Sequence, residues 1–339
     1  MRASVLRGGR MVYRDDVGEP VPGPGQVLVA IKACGICGSD LHFAKHGDDV
    51  IAAGAQMEGL PSGPSVDLTA DVFMGHEFSA EILEPGPGSD APPPGTLVTS
   101  IPVLLSQAGV EMIVYSNTTI GGYSERMVLS APLLLPVPNG LDAGPAALTE
   151  PMAVGLHAVN KSNIARGETA LVIGCGPIGI AIIAALRARG VETIVASDFS
   201  PRRRELAAAV GAHRTVDPAS GSPFDSTSPA VVFEAVGVPG VIDDVMRRAP
   251  SRTRVVVAGV CMQSDAVHPF FGIAKEINIQ FVFGYDPAEF ADSLRAIAEG
   301  ELDVTPMITG EVGLAAVDTA FADLSDPDQH CKIVVRPDL

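Results

Sequence analysis

Two cysteines, a serine, an aspartate and a histidine fall within ten residues in "ACGICGSDLH", from Ala33 to His42. Three kinds of chemistry use such a stretch. A redox pair needs two thiols poised at a helix start, and Cys34 and Cys37 have that spacing. A structural zinc site needs a second close pair of ligands, and no second CxxC follows in the chain. A catalytic zinc instead takes three protein ligands from distant points and leaves one position open. Only the third reading leaves work for the serine, aspartate and histidine.

A second constellation is "VIGCGPIG", in which Gly174, Gly176 and Gly179 have the GxGxxG spacing, with Pro177 and Ile178 between the last two. The first glycine makes a tight turn, the second lets backbone approach a pyrophosphate, and the third packs helix on strand. The helix N-terminus then attracts the anion. The next strand, "TIVASD", ends in Asp198, where a ribose hydroxyl needs an acceptor. A methyltransferase that binds adenosine through a similar acid is the alternative. An acid here also repels the extra phosphate of NADP, which argues for NAD. Arg202, Arg203 or Arg204 in the following "SPRRR" is a candidate to meet such a phosphate, although a solvated helix start is the favoured role.

These residues need elements to hold them. From Met1 to about Val159, strand-like runs such as "QVLVAIKA", "HEFSAEIL" and "GTLVTSIPV" alternate with Gly/Pro clusters, which predicts an antiparallel, turn-rich β domain. From about Glu168, strands alternate with helical patterns, which predicts a doubly wound parallel sheet covered on both faces. A helical segment, "DPAEFADSLRAIAEGEL", and the strand-like "CKIVVRP" close the chain, and so late a strand needs the first domain's sheet. The expected division is residues 1–158, 159–284 and a return to the first domain over 285–339. Gly47 to Asp71, rich in Gly, Ala, Pro and Ser, reads as a loop.

A length of 339 residues with 47% hydrophobic composition favours two domains. The formal charge of -17 repels phosphate backbones and anionic lipid, so neither nucleic acid nor membrane is an expected partner. The odd number of cysteines, irregularly spaced, and a start without a signal-peptide pattern point to reduced thiols and a cytoplasmic location. The apolar run "ALVIGCGPIGIAIIAAL" falls short of a membrane span.

Taken in order, "CGICGSDLH", "GHE", "TEPMAVGLHAV" and "GCGPIG" resemble the zinc-dependent medium-chain alcohol dehydrogenase family, in its polyol and secondary-alcohol branch. The resemblance covers essentially the whole chain. It implies a Rossmann domain joined to a GroES-like β-rich catalytic domain, an α/β protein. It also implies that Cys37, His76 and Glu150 are the zinc ligands and that Glu77 is a catalytic residue beside the metal, able to approach the zinc or coordinate it when water leaves. Asp40 would hold the zinc-bound histidine in its tautomer, while Ser39 and His42 would relay the substrate proton. Cys34 reads as a small buried residue, and His46, His157 and His213 as structural.

Two departures from the family bear on function. Many members carry four cysteines after the "GHE" strand for a second, structural zinc, and no cysteine lies between Gly95 and Gly122. One zinc per subunit is therefore expected, with "IPVLL" packing on its own domain or a neighbouring subunit. Polyol dehydrogenases commonly have Arg-Tyr after the last strand of the cofactor domain, whereas this chain has Gly284 before Tyr285. Losing that donor argues against sugar alcohols. The resulting expectation is NAD-dependent oxidation of a fairly apolar secondary alcohol to its ketone by a homodimer or homotetramer. A polyol or vicinal-diol dehydrogenase is the nearest alternative. A non-catalytic dinucleotide sensor and a zinc-free quinone or enone reductase are more remote, because neither needs the ligands and the relay together.

Overall fold

Alternating apolar residues and frequent turn-formers make the first part of the chain a strand domain. The computed structural model describes residues 1–57, 66–107 and 109–339. In chain order its first part holds β1 (Ala3–Arg7), β2 (Arg10–Arg14), β3 (Gln26–Gly35), α1 (Gly38–Ala55), β4 (Glu77–Pro85) and β5 (Leu97–Ser100). There follow β6 (Val103–Ser106), β7 (Gly109–Met112), β8 (Arg126–Ser130), β9 (Leu134–Pro136) and α2 (Ala143–Ala147). The helix α3 (Thr149–Ser162) leads into the second part.

That part alternates β10 (Thr169–Ile173), α4 (Pro177–Ala188), β11 (Thr193–Ser197), α5 (Pro201–Val210), β12 (Arg214–Val216), β13 (Val231–Glu234) and α6 (Val241–Arg248). It continues with β14 (Arg254–Val257), α7 (Pro269–Lys275), β15 (Asn278–Phe281) and α8 (Pro287–Ala298). The chain closes with β16 (Ile308–Val312), α9 (Val317–Asp323) and β17 (Lys332–Val335). Among the described residues, no helix is long and apolar enough to cross a membrane.

The chain forms two compact units. The first comprises residues 1–150, 308–326 and 332–339, and its main sheet runs β16-β17-β3-β4-β5-β9. The long strand β3 organises it. One edge of β3 pairs with β4, while the other is shared, Gln26 to Ala30 bonding β8 and Cys34 and Gly35 bonding β17. Val27, Val29 and Ile31 project to one side and pack with Phe78, Ala80 and Ile82 of β4, the period-2 pattern expected of a half-buried strand. The hairpin β6-β7 contains the segment "IPVLL" and packs on its own unit. There the Leu105 amide donates to Ser130 at 2.7 Å and its carbonyl accepts from Gln26 at 2.9 Å.

The second unit comprises residues 151–307 and 327–331. Its sheet, β12-β11-β10-β13-β14-β15, is parallel throughout. Ala170, Leu171 and Val172 of the central strand β10 are fully buried, as in a sheet covered on both faces. Strand order reverses between β10 and β13, and such reversals are where α/β sheets bind dinucleotides.

Three boundaries differ from the sequence reading, and one of them is the end of the first segment, at Glu150 rather than at 158. The first unit returns at Ile308 rather than at 285, because α8 belongs to the second unit. Glu289 of α8 accepts from Asn160 of α3 at 2.6 Å and pairs with the His157 ring at 2.7 Å, while Phe290, Leu294 and Ile297 are buried. The stretch Gly47 to Asp71 is not simply a loop. After a kink at His46, α1 continues to Ala55, since Val50 and Ile51 pack against the core and Ala carries the helix. Residues 58–65 of that stretch lie outside the described residues.

Candidate active site

The end of β3 delivers Cys37 to the N-cap of α1. Three residues on, Asp40 turns back and its carboxylate accepts from the Cys37 amide at 3.1 Å, so forming the helix both places the thiol and sends Asp40 inward. Asp40 is fully buried, and the Tyr123 hydroxyl donates to it at 2.6 Å. Its other oxygen faces His76 Nδ1 at 3.5 Å, and neither of those two buried atoms has a hydrogen-bond partner. A proton on Nδ1 directed at Asp40 leaves Nε2 with its lone pair for a metal.

One donor atom each from Cys37, His76 and Glu77 lies within 4.8 Å of the others. Glu150, half-buried in the first turn of α3, is outside that group of donor atoms, although its charge acts on His76. Burial opposes a charged His76, but Asp40, Cys37 and Glu150 outweigh it and raise the imidazole well above its ordinary range. A thiolate, an imidazole and a carboxylate converging on a buried, cation-favouring point suit zinc.

Glu77 has another partner. Both its carboxylate oxygens accept from Lys332 Nζ, at 2.7 and 2.8 Å, in a pair almost wholly removed from solvent. Gly35 makes room for it, because a Cβ there would overlap Glu77 Oε2. The sequence reading missed Lys332, although a lysine inside the apolar "CKIVV" was the available signal. It also missed Tyr123, the partner of Asp40.

Ser39 and His42 are exposed and one turn apart on α1. Phe43, one turn beyond Ser39, stacks on Tyr115, with ring centroids 3.8 Å apart and planes at 7°. The Tyr115 hydroxyl is hydrogen-bonded to Ser39, while burial and the Asp40 charge push its phenol well up. Partial burial, then His46 and Lys45, lower His42 below the usual imidazole range. Cys34 is buried and its thiol is raised by desolvation, which suits a packed residue and not a redox one.

In the second unit Gly174 closes the turn with φ of 91°. A Cβ on Gly179 would overlap the Gly174 carbonyl, whereas one on Gly176 would meet nothing within 4 Å, so the side open to an anion is the middle of the turn. Pro177 and Ile178 start α4 directly after it. Asp198 accepts from the Cys175 amide at 2.8 Å and from the Ser200 amide at 2.8 Å, which ties the carboxylate to the glycine turn. Arg204 is engaged with the Asp198 and Phe199 carbonyls, while Arg203 Nε is buried without a partner. His157 lies in its pair with Glu289, and His213 accepts from the Ile194 amide at 3.0 Å.

A strand unit carrying metal donors, joined to a dinucleotide-type sheet, defines a zinc-binding dehydrogenase. Residues 23–139 match the alcohol dehydrogenase GroES-like domain, and residues 177–299 match the zinc-binding dehydrogenase domain. The chain is 30% identical to (R,R)-butanediol dehydrogenase of Bacillus subtilis, over 99% of its own length and 100% of the relative's. Its fold matches the crystal structure of 2R,3R-butanediol dehydrogenase from Bacillus subtilis with a TM-score of 0.83 at 29% identity, covering 99% of both chains. A structure from Sinorhizobium meliloti 1021, solved bound to NADP, matches equally well, with a TM-score of 0.83 at 28% identity and 99% of both chains covered. The chain belongs to the zinc-dependent medium-chain alcohol dehydrogenase family and is an oxidoreductase.

Proposed function

We propose that this enzyme oxidises a small, fairly apolar secondary alcohol to its ketone with NAD, using one zinc ion held by Cys37, His76 and Glu150. The observation that carries the reading is the convergence of Cys37 and His76, with Asp40 behind the imidazole and the Glu150 charge acting on it. When bound, zinc supplies Lewis acidity to the alcohol oxygen and the nicotinamide supplies a hydride acceptor. The chain supplies the proton path. Ser39 accepts the alcohol proton, and His42, neutral because its pKa is lowered, carries it onward.

Asp198 supports NAD, since a carboxylate fixed beside the glycine turn accepts from ribose and repels a 2′-phosphate. The Phe43–Tyr115 stack beside Ser39 offers an apolar wall, and Gly284 leaves no guanidinium before Tyr285. Both features support an apolar substrate. A vicinal diol is the second reading, favoured by the (R,R)-butanediol dehydrogenase names of relatives from Bacillus subtilis and Neisseria gonorrhoeae. Assembly as a cytoplasmic homodimer or homotetramer is part of the proposal. The edge strand β15, with Phe281 exposed on it and Phe283 exposed just after it, offers a surface for it.

The test is reduction of NAD and of NADP by zinc-loaded protein across sorbitol, xylitol, butanediol stereoisomers and bulkier secondary alcohols. NAD reduction by the less polar members is the expected result. Turnover confined to sorbitol and xylitol would overturn the substrate assignment, and preference for NADP would overturn the role given to Asp198.

A further inference from the structure

The two hydrogen bonds that reach the Asp40 carboxylate end on the same oxygen. The Cys37 amide at 3.1 Å and the Tyr123 hydroxyl at 2.6 Å both donate to Oδ2. Oδ1 is left facing His76 Nδ1 at 3.5 Å, and neither of those atoms has a hydrogen-bond partner. Asp40 and Tyr123 are both buried, so turning Oδ1 elsewhere would break two hydrogen bonds where no water can replace them. The anchored oxygen thus fixes the direction of the free one.

The two anchors differ in origin. The Cys37 amide is the N-cap of α1 and moves with Asp40, whereas Tyr123 belongs to a distant segment fastened to the residues before His76. Its amide donates to the Met74 carbonyl at 3.2 Å, and the Gly122 amide donates to the Gly75 carbonyl at 2.8 Å. Glycines permit so close an approach. A Cβ on Gly121 would overlap the Met74 carbonyl, and one on Gly75 would come within 2.8 Å of the Tyr123 amide nitrogen. From that backbone the side chain passes the Gly35 carbonyl, 3.4 Å from its hydroxyl, and meets Phe321 edge-on with ring centroids 6.1 Å apart. One tyrosine therefore joins the backbone of the histidine segment to a side chain of the cysteine helix.

We propose that Tyr123 is a positioning residue of the metal centre: its hydroxyl holds Asp40 Oδ2 and so aims Oδ1 at His76, which turns the imidazole Nε2 toward the metal. The proposal rests on the reading of Cys37 and His76 as metal donors, and it is the same whichever carboxylate joins them.

Tyr123→Phe tests it, because the change removes the hydroxyl and keeps the ring. Cobalt(II) exchanged for zinc reports the donor field by visible absorption, and a chelator reports the rate of metal release, both independently of turnover. In Tyr123→Phe the cobalt bands should shift and zinc release should quicken by about tenfold or more, as when groups supporting metal ligands are removed. Asp40→Asn should do likewise. Because Tyr123 acts through Asp40, the double variant Tyr123→Phe/Asp40→Asn should release zinc no faster than Asp40→Asn, whereas independent effects would multiply.

Unchanged bands with unchanged release in Tyr123→Phe would overturn the proposal, and so would multiplied rates in the double variant. Should Tyr123→Phe fail to fold, 3-fluorotyrosine placed at the four tyrosines supplies the test by fluorine resonance. Tyr13→Phe, Tyr115→Phe and Tyr285→Phe assign three signals and leave the fourth to Tyr123. That signal should move when zinc loads the unmodified protein and stay in place in Asp40→Asn; a signal that ignores zinc, or follows it equally in Asp40→Asn, would overturn the proposal. If the unmodified protein takes up neither cobalt nor zinc, the reading of Cys37 and His76 falls. If it takes up metal and Tyr123→Phe is indistinguishable from it, only the inference about Tyr123 falls.

Discussion

Ser39 and His42 share one face of α1 but differ in what their removal should do. Ser39→Ala should keep its zinc by elemental analysis and lose roughly 10²–10⁴-fold in kcat, the usual range for a group that moves a proton. Cys37→Ala or His76→Ala should lose both zinc and turnover. The pH profile belongs to His42. It accepts a proton only when neutral, and burial, His46 and Lys45 lower its pKa, so the neutral form persists to lower pH. The acid limb of kcat should therefore lie below about 6.5, the ordinary imidazole value, and should disappear in His42→Gln. A limb above that value, or one unchanged by the substitution, would refute the relay. The closeness of Cys37 and Asp40 was legible because they sit within one short motif. Lys332 and Glu77 are 255 residues apart in sequence, and only the sheet register brings them together.

The second unit was the more legible in its elements. There each strand is a short apolar run followed by a helical pattern, and the glycine turn marks where β10 ends and α4 begins. β12 was missed and β15 was placed only through the family resemblance, since the first spans only Arg214–Val216 and the second is mostly exposed, so neither shows the apolar run that identifies a buried strand. The kinked continuation of α1 was missed because Gly47 and Gly54 break the helical pattern, while the packing of Val50 and Ile51 that stabilises it is tertiary. Gly179→Ala tests the turn. The new methyl would overlap the Gly174 carbonyl, which should destabilise the fold by about 1–3 kcal/mol and weaken dinucleotide binding. Chemical denaturation and a dinucleotide titration measure the two effects. Normal affinity in that variant would contradict the place given to the turn.

At the scale of the whole molecule, the absence of cysteine between Gly95 and Gly122 predicts one zinc per chain by elemental analysis, and two would contradict it. Removal of residues 332–339 should strip β17 from between β3 and β16 and leave Glu77 buried without Lys332. Breaking a buried pair in this way costs about 3–5 kcal/mol, so the truncated chain should lose the first unit's cooperative melting transition along with its zinc. The order of the sheet also bears on how the protein is made. On the ribosome, Cys37 and His76 emerge early, and the second unit, built mainly from residues 151–307, can close as it leaves the exit tunnel. The first unit cannot, because β17, the strand beside β3, is translated after the second unit. Stable metal loading therefore awaits β17: a nascent chain stalled before Lys332 should not retain zinc, whereas one extended past β17 should.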